Sequence, residues 1–198
     1  MSSEVYQIVK KLNPALLETQ LIIQCAPMIA GLKTSNLLKI DSSFEEEVNR
    51  LFEGLGFGCI LLAHSGSKAV FFLYNRKMLK QHLACISCRK LLKTLGYDRP
   101  DQADLIASVQ KKYESFTSGS GDFPHELGLL LGYPAEDVEG YLRDRGKNAL
   151  YTGCWQVYAN PEDKILLFES YEEAREKMAR MAFRGMNLTQ IIQQLHCA

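Results

Sequence analysis

Phe57-Gly58-Cys59-Ile60-Leu61-Leu62-Ala63-His64-Ser65-Gly66-Ser67-Lys68-Ala69-Val70-Phe71-Phe72-Leu73-Tyr74-Asn75 is the stretch from which the fold is read. Its two apolar runs, Phe57 to His64 and Lys68 to Asn75, are strand-length and rich in β-formers. Ser65-Gly66-Ser67 between them supplies turn residues. The segment predicts a β-hairpin, and therefore antiparallel pairing.

Helical signals lie on both sides of it. Residues 4 to 24 read as one or two helices broken near Asn13-Pro14, and Cys25-Ala26-Pro27 is expected to interrupt them, because the residue before a proline is pushed out of the α region. Gly31 to Ile40 reads as a strand with Leu32, Thr34, Asn36 and Leu38 on one side. Ser43-Phe44-Glu45-Glu46 opens a helix, Ser43 as cap and Glu46 at the reciprocal position, that runs to about Leu55. After the hairpin, Met78 to Leu95 reads as one helix with a stripe of Leu79, Leu83, Ile86, Leu91 and Leu95, closed by Gly96. Pro100 to Phe116, Pro134 to Arg145, Ser170 to Arg184 and Asn187 to Leu195 are further helices. Leu150 to Tyr158 is a strand. Thr117-Ser118-Gly119-Ser120-Gly121-Asp122 is expected to be a mobile loop within one domain spanning 1–198. The sum is an α+β fold: a small, mainly antiparallel sheet of three to four strands flanked by several helices.

The 198 residues suit one substantial domain, and 46% hydrophobic with 23% charged residues is ordinary for a globular protein. The formal net charge is zero, so nothing global draws the chain to nucleic acid or to anionic membrane. Arg76, Lys77, Lys80, Arg89, Lys90 and Lys93 fall at helical spacing, as a solvated helix face does. No apolar run reaches membrane-span length, and Met1-Ser2-Ser3-Glu4-Val5-Tyr6 lacks the profile of a signal peptide. The expected location is the cytoplasm, with the six cysteines as reduced thiols.

Phe123-Pro124-His125-Glu126-Leu127-Gly128-Leu129-Leu130-Leu131-Gly132-Tyr133-Pro134 is the stretch that draws attention for function. With Pro124 in the first turn of a helix, His125 would sit at a positive dipole end and stay neutral, fit to accept a proton. Glu126 beside it is either an acid/base or orienting group or a capping carboxylate. Adjacent helical residues point about 100° apart, so the two need not converge. The position four after His125 is Leu129, which excludes the H-E-x-x-H zinc-protease motif. Cys25, at the expected chain break with Lys33 not far along, is a thiolate nucleophile or else a small buried apolar residue. Lys33 and Arg76 are anion partners, and Tyr133 is a further ligand contact. Cys85-x-x-Cys88, with His82 before it, reads as mid-helix, whereas redox pairs of this spacing start a helix. A second C-x-x-C for zinc is absent, and no metal site is assigned. Gly54-Leu55-Gly56-Phe57-Gly58 runs from helix to strand, the reverse of a dinucleotide loop, and no G-x-S-x-G occurs. Trp155 and Tyr158 share a strand.

Residues 123 to 138, together with Cys25-Ala26-Pro27, Ala30-Gly31-Leu32-Lys33, Tyr74-Asn75-Arg76 and Trp155-Gln156-Val157-Tyr158, resemble the pattern of an uncharacterised prokaryotic family, domain of unknown function 3793. The resemblance spans nearly the whole chain. It implies a single domain and the cytoplasm of anaerobic bacteria, and it carries no activity or cofactor. The Cys85/Cys88 pair lies outside it. Two functions are therefore expected: a protein that binds a small ligand or metal-containing cofactor near His125-Glu126, facing Cys25; or a non-catalytic module that meets a protein partner or its own copy in a homo-oligomer, through Leu129 to Leu131 or the C-terminal helices.

Overall fold

In the computed structural model, which describes residues 3–53 and 56–196, the hairpin predicted at Phe57–Asn75 is the centre of the protein. The elements in chain order are α1 (Ser3–Lys11), α2 (Leu17–Ile29), β1 (Ser35–Asp41), α3 (Glu45–Phe52), β2 (Phe57–Ser65), β3 (Lys68–Asn75), α4 (Arg76–Leu83), α5 (Ile86–Thr94), α6 (Gln102–Thr117), α7 (Leu127–Leu130), α8 (Ala135–Asp144), β4 (Tyr151–Thr152), β5 (Gln156–Val157), α9 (Pro161–Phe183) and α10 (Leu188–His196). The expected end of α3 at Leu55 and the last cysteine, Cys197, lie outside the described residues.

β1, β3 and β2 form an antiparallel sheet with β3 in the middle. Six consecutive residues of β3, Ala69 to Tyr74, are buried, which requires cover on both faces. Ala69, Phe71 and Leu73 join Leu38 and Ile40 of β1 in a core with α2, α9 and α10. Phe72 and Tyr74 point the other way, into a core built from α4 to α8. The fold is thus α+β in three layers, helices on either side of an antiparallel sheet. Each fully buried phenylalanine contributes about 1.5–3 kcal/mol. Gly58 is paired with Tyr74 and lets its ring lie across the strand: a Cβ there would meet the ring at 2.0 Å.

Five local expectations are corrected. α2 is not interrupted at Cys25-Ala26-Pro27; it runs on to Ile29 with Pro27 inside it. Proline cannot donate to the carbonyl four residues back, here that of Ile23. Arg175 Nε of α9 donates to that oxygen instead, at 3.0 Å. The helix predicted over 78–95 is two helices. The chain breaks at Ala84-Cys85, where Cys85 takes extended angles (φ −64°, ψ 151°) and its sulfur accepts the N–H of Cys88 as an N-cap. The strand predicted over 150–158 is a two-stranded ribbon, β4–β5, reversing through Gly153-Cys154-Trp155. The helix expected from Ser170 begins at Pro161, in the first-turn position proline favours. Ser43 is not the cap expected of it: Asp41 accepts the Ser43 N–H, and a short 3-10 turn, Ser42–Phe44, leads into α3.

At 117–122 the end of α6 is fastened by backbone bonds from Ser120 N–H to Ser115 O and from Gly119 N–H to Phe116 O. This is the closing pattern of a helix with a left-handed residue after its last turn. Among the described residues no helix is long and apolar enough to cross a membrane.

Candidate functional site

The segment 123–134 makes one helical turn rather than a helix of useful length. α7 holds four residues and starts after His125-Glu126, so the dipole expected to act on His125 is not assembled there. Glu126 does not cap α7 with its side chain. It is turned inward, 4% exposed, and accepts the Tyr97 hydroxyl at 2.5 Å and the Lys112 ammonium at 2.6 Å. Burial alone would raise its pKa, but the bonds from Lys112 and Tyr97 outweigh it and the carboxyl is held below its ordinary range. His125 points elsewhere, its ring 5.5 Å from those of both Phe123 and Tyr141. The pair does not converge.

His125 lines an apolar hollow of about 290 Å³ with Phe123, Tyr133, Val138, Tyr141 and Trp155. Asp137 stands at its wall, 2% exposed, but its carboxylate is fully employed. It accepts Trp155 Nε1 at 2.8 Å and the backbone N–H groups of Tyr158 and Ala159 at 2.8 and 3.2 Å, pinning the β4–β5 ribbon onto α8.

A second, polar cleft of about 280 Å³ lies across Tyr133, which both spaces share with Leu37 and Leu131. Gln24, Lys33, Asn36, Cys154, Tyr171 and Arg175 also line it. Tyr133 separates the two: its ring stacks on Trp155 (centroids 4.7 Å apart) and the Lys33 ammonium lies 5.6 Å from its centroid. Gly132 fixes this placement. It closes the α7 turn at φ +78°, and a Cβ on it would meet Thr34 Oγ1 at 2.1 Å. Ser35, wholly buried, ties the same turn to β1 by donating to Leu130 O at 2.5 Å.

Lys33 is the group with the most to gain from a ligand. Among the described residues its ammonium bonds only Asn36 Oδ1, at 2.9 Å, and no carboxylate pairs with it. Burial pulls its pKa from 10.5 down to about 8; the neighbouring thiols of Cys154 and Cys25 oppose the fall and the Arg175 charge adds to it. Arg175 gives Nε to Ile23 O and pairs through its NH1 with Glu172. Burial pushes the Tyr133 hydroxyl up to about 12 and the Tyr171 hydroxyl up as well, so both are donors at neutral pH. Cys154, exposed at the ribbon tip, is also raised by burial, against the pull of Lys33 and Arg175.

The structure therefore brings Lys33 and Tyr133 together in the polar cleft and His125 and Tyr133 together along the apolar hollow, and leaves Cys25, Glu126 and Arg76 out of both. Cys25 is wholly buried in α2, lines neither space, accepts from Asn36 Nδ2 at 3.6 Å, and is pushed up to about 12 by burial. It does not face His125 across a pocket. Arg76 is exposed at the start of α4 with its guanidinium 5.7 Å from the Tyr74 ring. Arg175, Tyr171 and Cys154 were not singled out from the sequence. Arg175 is one charge among many on a long helix, and only the three-dimensional course of α9 brings it beneath Pro27. Among the described residues, no group of three or more His, Cys, Asp and Glu side chains is placed to hold a metal ion.

The model of a protein family of unknown function, DUF3793, matches residues 21–192. The chain belongs to this family. The match takes in α2 through most of α10, and so includes both spaces and every residue named in them. No curated protein and no solved structure gives a match.

Proposed function

We propose that this family member is a cytoplasmic protein that binds a small organic anion in the cleft between β1, α2, α9 and Tyr133. The observation that carries the reading is Lys33, a half-buried ammonium beside a second cation with no carboxylate of its own. A charge removed from water without a partner is costly, and strongly shifted groups in clefts mark functional sites. A ligand carboxylate or phosphate would meet Lys33 and Arg175, and its apolar part would rest on Tyr133 and Tyr171. Gln24 and Asn36 are held by bonds to Lys39 and to the Gln24 carbonyl, which keeps the floor of the cleft fixed.

Isothermal titration with benzoate, citrate and inorganic phosphate near pH 6.5 and near pH 9.5 tests this. The expected result is binding by the wild type at the lower pH, weakened at the higher as Lys33 discharges, and abolished by Lys33→Met. Equal behaviour of wild type and Lys33→Met toward every probe overturns it.

A second reading has its own observation. Phe116, Phe123 and Tyr141, each about 40% exposed, cluster around His125. This aromatic rim suits contact with another copy of the chain. Light scattering that shows a monomer at high concentration removes it.

A further inference from the structure

The break between α4 and α5 changes what Cys85-Ile86-Ser87-Cys88 is. Cys85 is the N-cap of a nine-residue helix and Cys88 lies on its first turn. Cys85 is exposed and Cys88 is buried. The Cys85 sulfur accepts the Cys88 N–H at 3.3 Å and lies 3.3 Å from the Ser87 hydroxyl. The Cys88 sulfur lies 3.6 Å from His82 Nε2, on the last turn of α4. Ile86, 75% exposed, flanks the outer thiol. Residues three apart at a helix start are neighbours, which is the separation a disulfide bridges.

We propose that Cys85 and Cys88 are a dithiol–disulfide couple that reduces accessible organic disulfides, with Cys85 as the attacking thiol, Cys88 as the resolving one and His82 as the base for the second step. The electrostatics agree with the geometry. Partial burial raises the Cys85 thiol, but hydrogen bonds from the Cys88 thiol, the Ser87 hydroxyl and the two N–H groups outweigh it and the net shift is downward. Cys88 is pushed up, by burial first and then by its bond to Cys85. Burial lowers His82, against backbone bonds at Tyr133 and Leu129 and the charge of Glu136, so the ring is a neutral proton acceptor at physiological pH. Glu136 is also the acidic group that acts on Cys88.

The chemistry balances in two exchanges. The Cys85 thiolate attacks one sulfur of R–S–S–R, forming Cys85–S–S–R and releasing one thiolate, which takes a proton from water. Cys88 then gives its proton to His82 and attacks Cys85 Sγ. The Cys85–Cys88 bond forms, the second thiolate leaves, and His82 returns the proton to it. Two electrons pass from the protein to the disulfide, giving two R–SH. The couple shares no residue with the cleft at Lys33, so the two readings stand or fall separately.

The test uses the full chain, reduced and handled without oxygen, then exposed to glutathione disulfide, quenched in acid, alkylated and digested with trypsin. Residues 81–89 form one peptide containing both cysteines. The expected wild-type product is that peptide two hydrogens lighter and unalkylated. Cys88→Ser should accumulate glutathione on Cys85, and in Cys85→Ser the buried Cys88 should react more slowly than wild-type Cys85 by about tenfold or more. His82→Gln should slow closure while leaving the first attack unchanged. A wild type that keeps glutathione on Cys85 without closing the bond, or in which Cys154 reacts faster than Cys85, overturns the proposal.

Discussion

Replacing Lys33 with methionine tests whether its charge is held at a cost. In the unfolded chain the amine titrates at 10.5; in the cleft it titrates at about 8. At about 1.36 kcal/mol per pH unit, the gap corresponds to about 3 kcal/mol of penalty near pH 7, reduced to roughly 1–3 kcal/mol by the solvent that still reaches the group. Methionine keeps the length of the stem, removes the charge, and gives up the Asn36 hydrogen bond and the contact with Tyr133, together about 1–2 kcal/mol. Near pH 7 the variant should therefore be about as stable as the wild type or somewhat more so. The decisive quantity is the slope. Between about 8 and 10.5 the unfolded lysine keeps its proton while the folded one has lost it. The unfolded state then binds more protons, and wild-type stability rises with pH. Relative to Lys33→Met, the wild type should gain roughly 1–2.5 kcal/mol between about pH 7 and about pH 10, read from paired urea unfolding curves. Tyrosines and the cysteines away from Lys33 titrate in both proteins and cancel, and pairing the comparison with Cys154→Ser in both backgrounds removes the exposed thiol that feels the Lys33 charge. A difference that stays flat across that range, or that moves against the wild type, refutes the argument that Lys33 is an unmet cation.

Arg175→Met should cost about 1.5–3 kcal/mol in the wild type, the worth of a hydrogen bond from a charged donor, and much less in Pro27→Ala, where a restored N–H reaches Ile23 O. Equal costs in the two backgrounds would break the link between Pro27 and Arg175. Glu126→Gln should lose about 1–3 kcal/mol at neutral pH. Because the folded carboxyl is held below its usual range, the wild-type advantage is present above the unfolded value near 4.5 and disappears as acid reaches the lower folded one; a gap that persists unchanged in acid denies the buried pair with Lys112. Gly132→Ala should destabilise by at least about 1 kcal/mol from its positive φ alone, with more from Thr34. Adding Thr34→Ala should recover only that second share, and full recovery would show that the backbone angle costs nothing.

Much of the architecture was legible because it rests on local pattern. The β2–β3 runs and the β1 segment announce strands by their apolar residues, and Gly96 and Gly132 stop helices where a left-handed angle is needed. At one misread place a distant group answers a local need. Pro27 ends a helix in isolation but not when Arg175 takes the orphaned carbonyl. Cys85 looks helical by periodicity, yet its sulfur makes it a cap. The start of α9 carried a usable signal, Asn160-Pro161-Glu162-Asp163, in which proline and two acids suit a first turn. At the candidate site, Lys33 and Tyr133 were readable as single residues, but their meeting was not, since it depends on how the α7 turn lies against β1. The divergence of His125 from Glu126 follows from the partners of Glu126, Tyr97 and Lys112, which lie 29 and 14 residues away.

The bond from Arg175 to Ile23 also orders events during synthesis. It joins positions 152 residues apart, so α2 leaves the ribosome long before the side chain that completes it exists. Until then the carbonyl of Ile23 has only water, and the last turn around Cys25 and Pro27 opens readily. A nascent chain stopped short of α9 would leave one face of the sheet, Phe71 and Leu73 included, covered by α2 but without α9 and α10. The N-terminal third thus gains its final form last, and a truncated chain would be recognisable to quality control by that partly covered sheet.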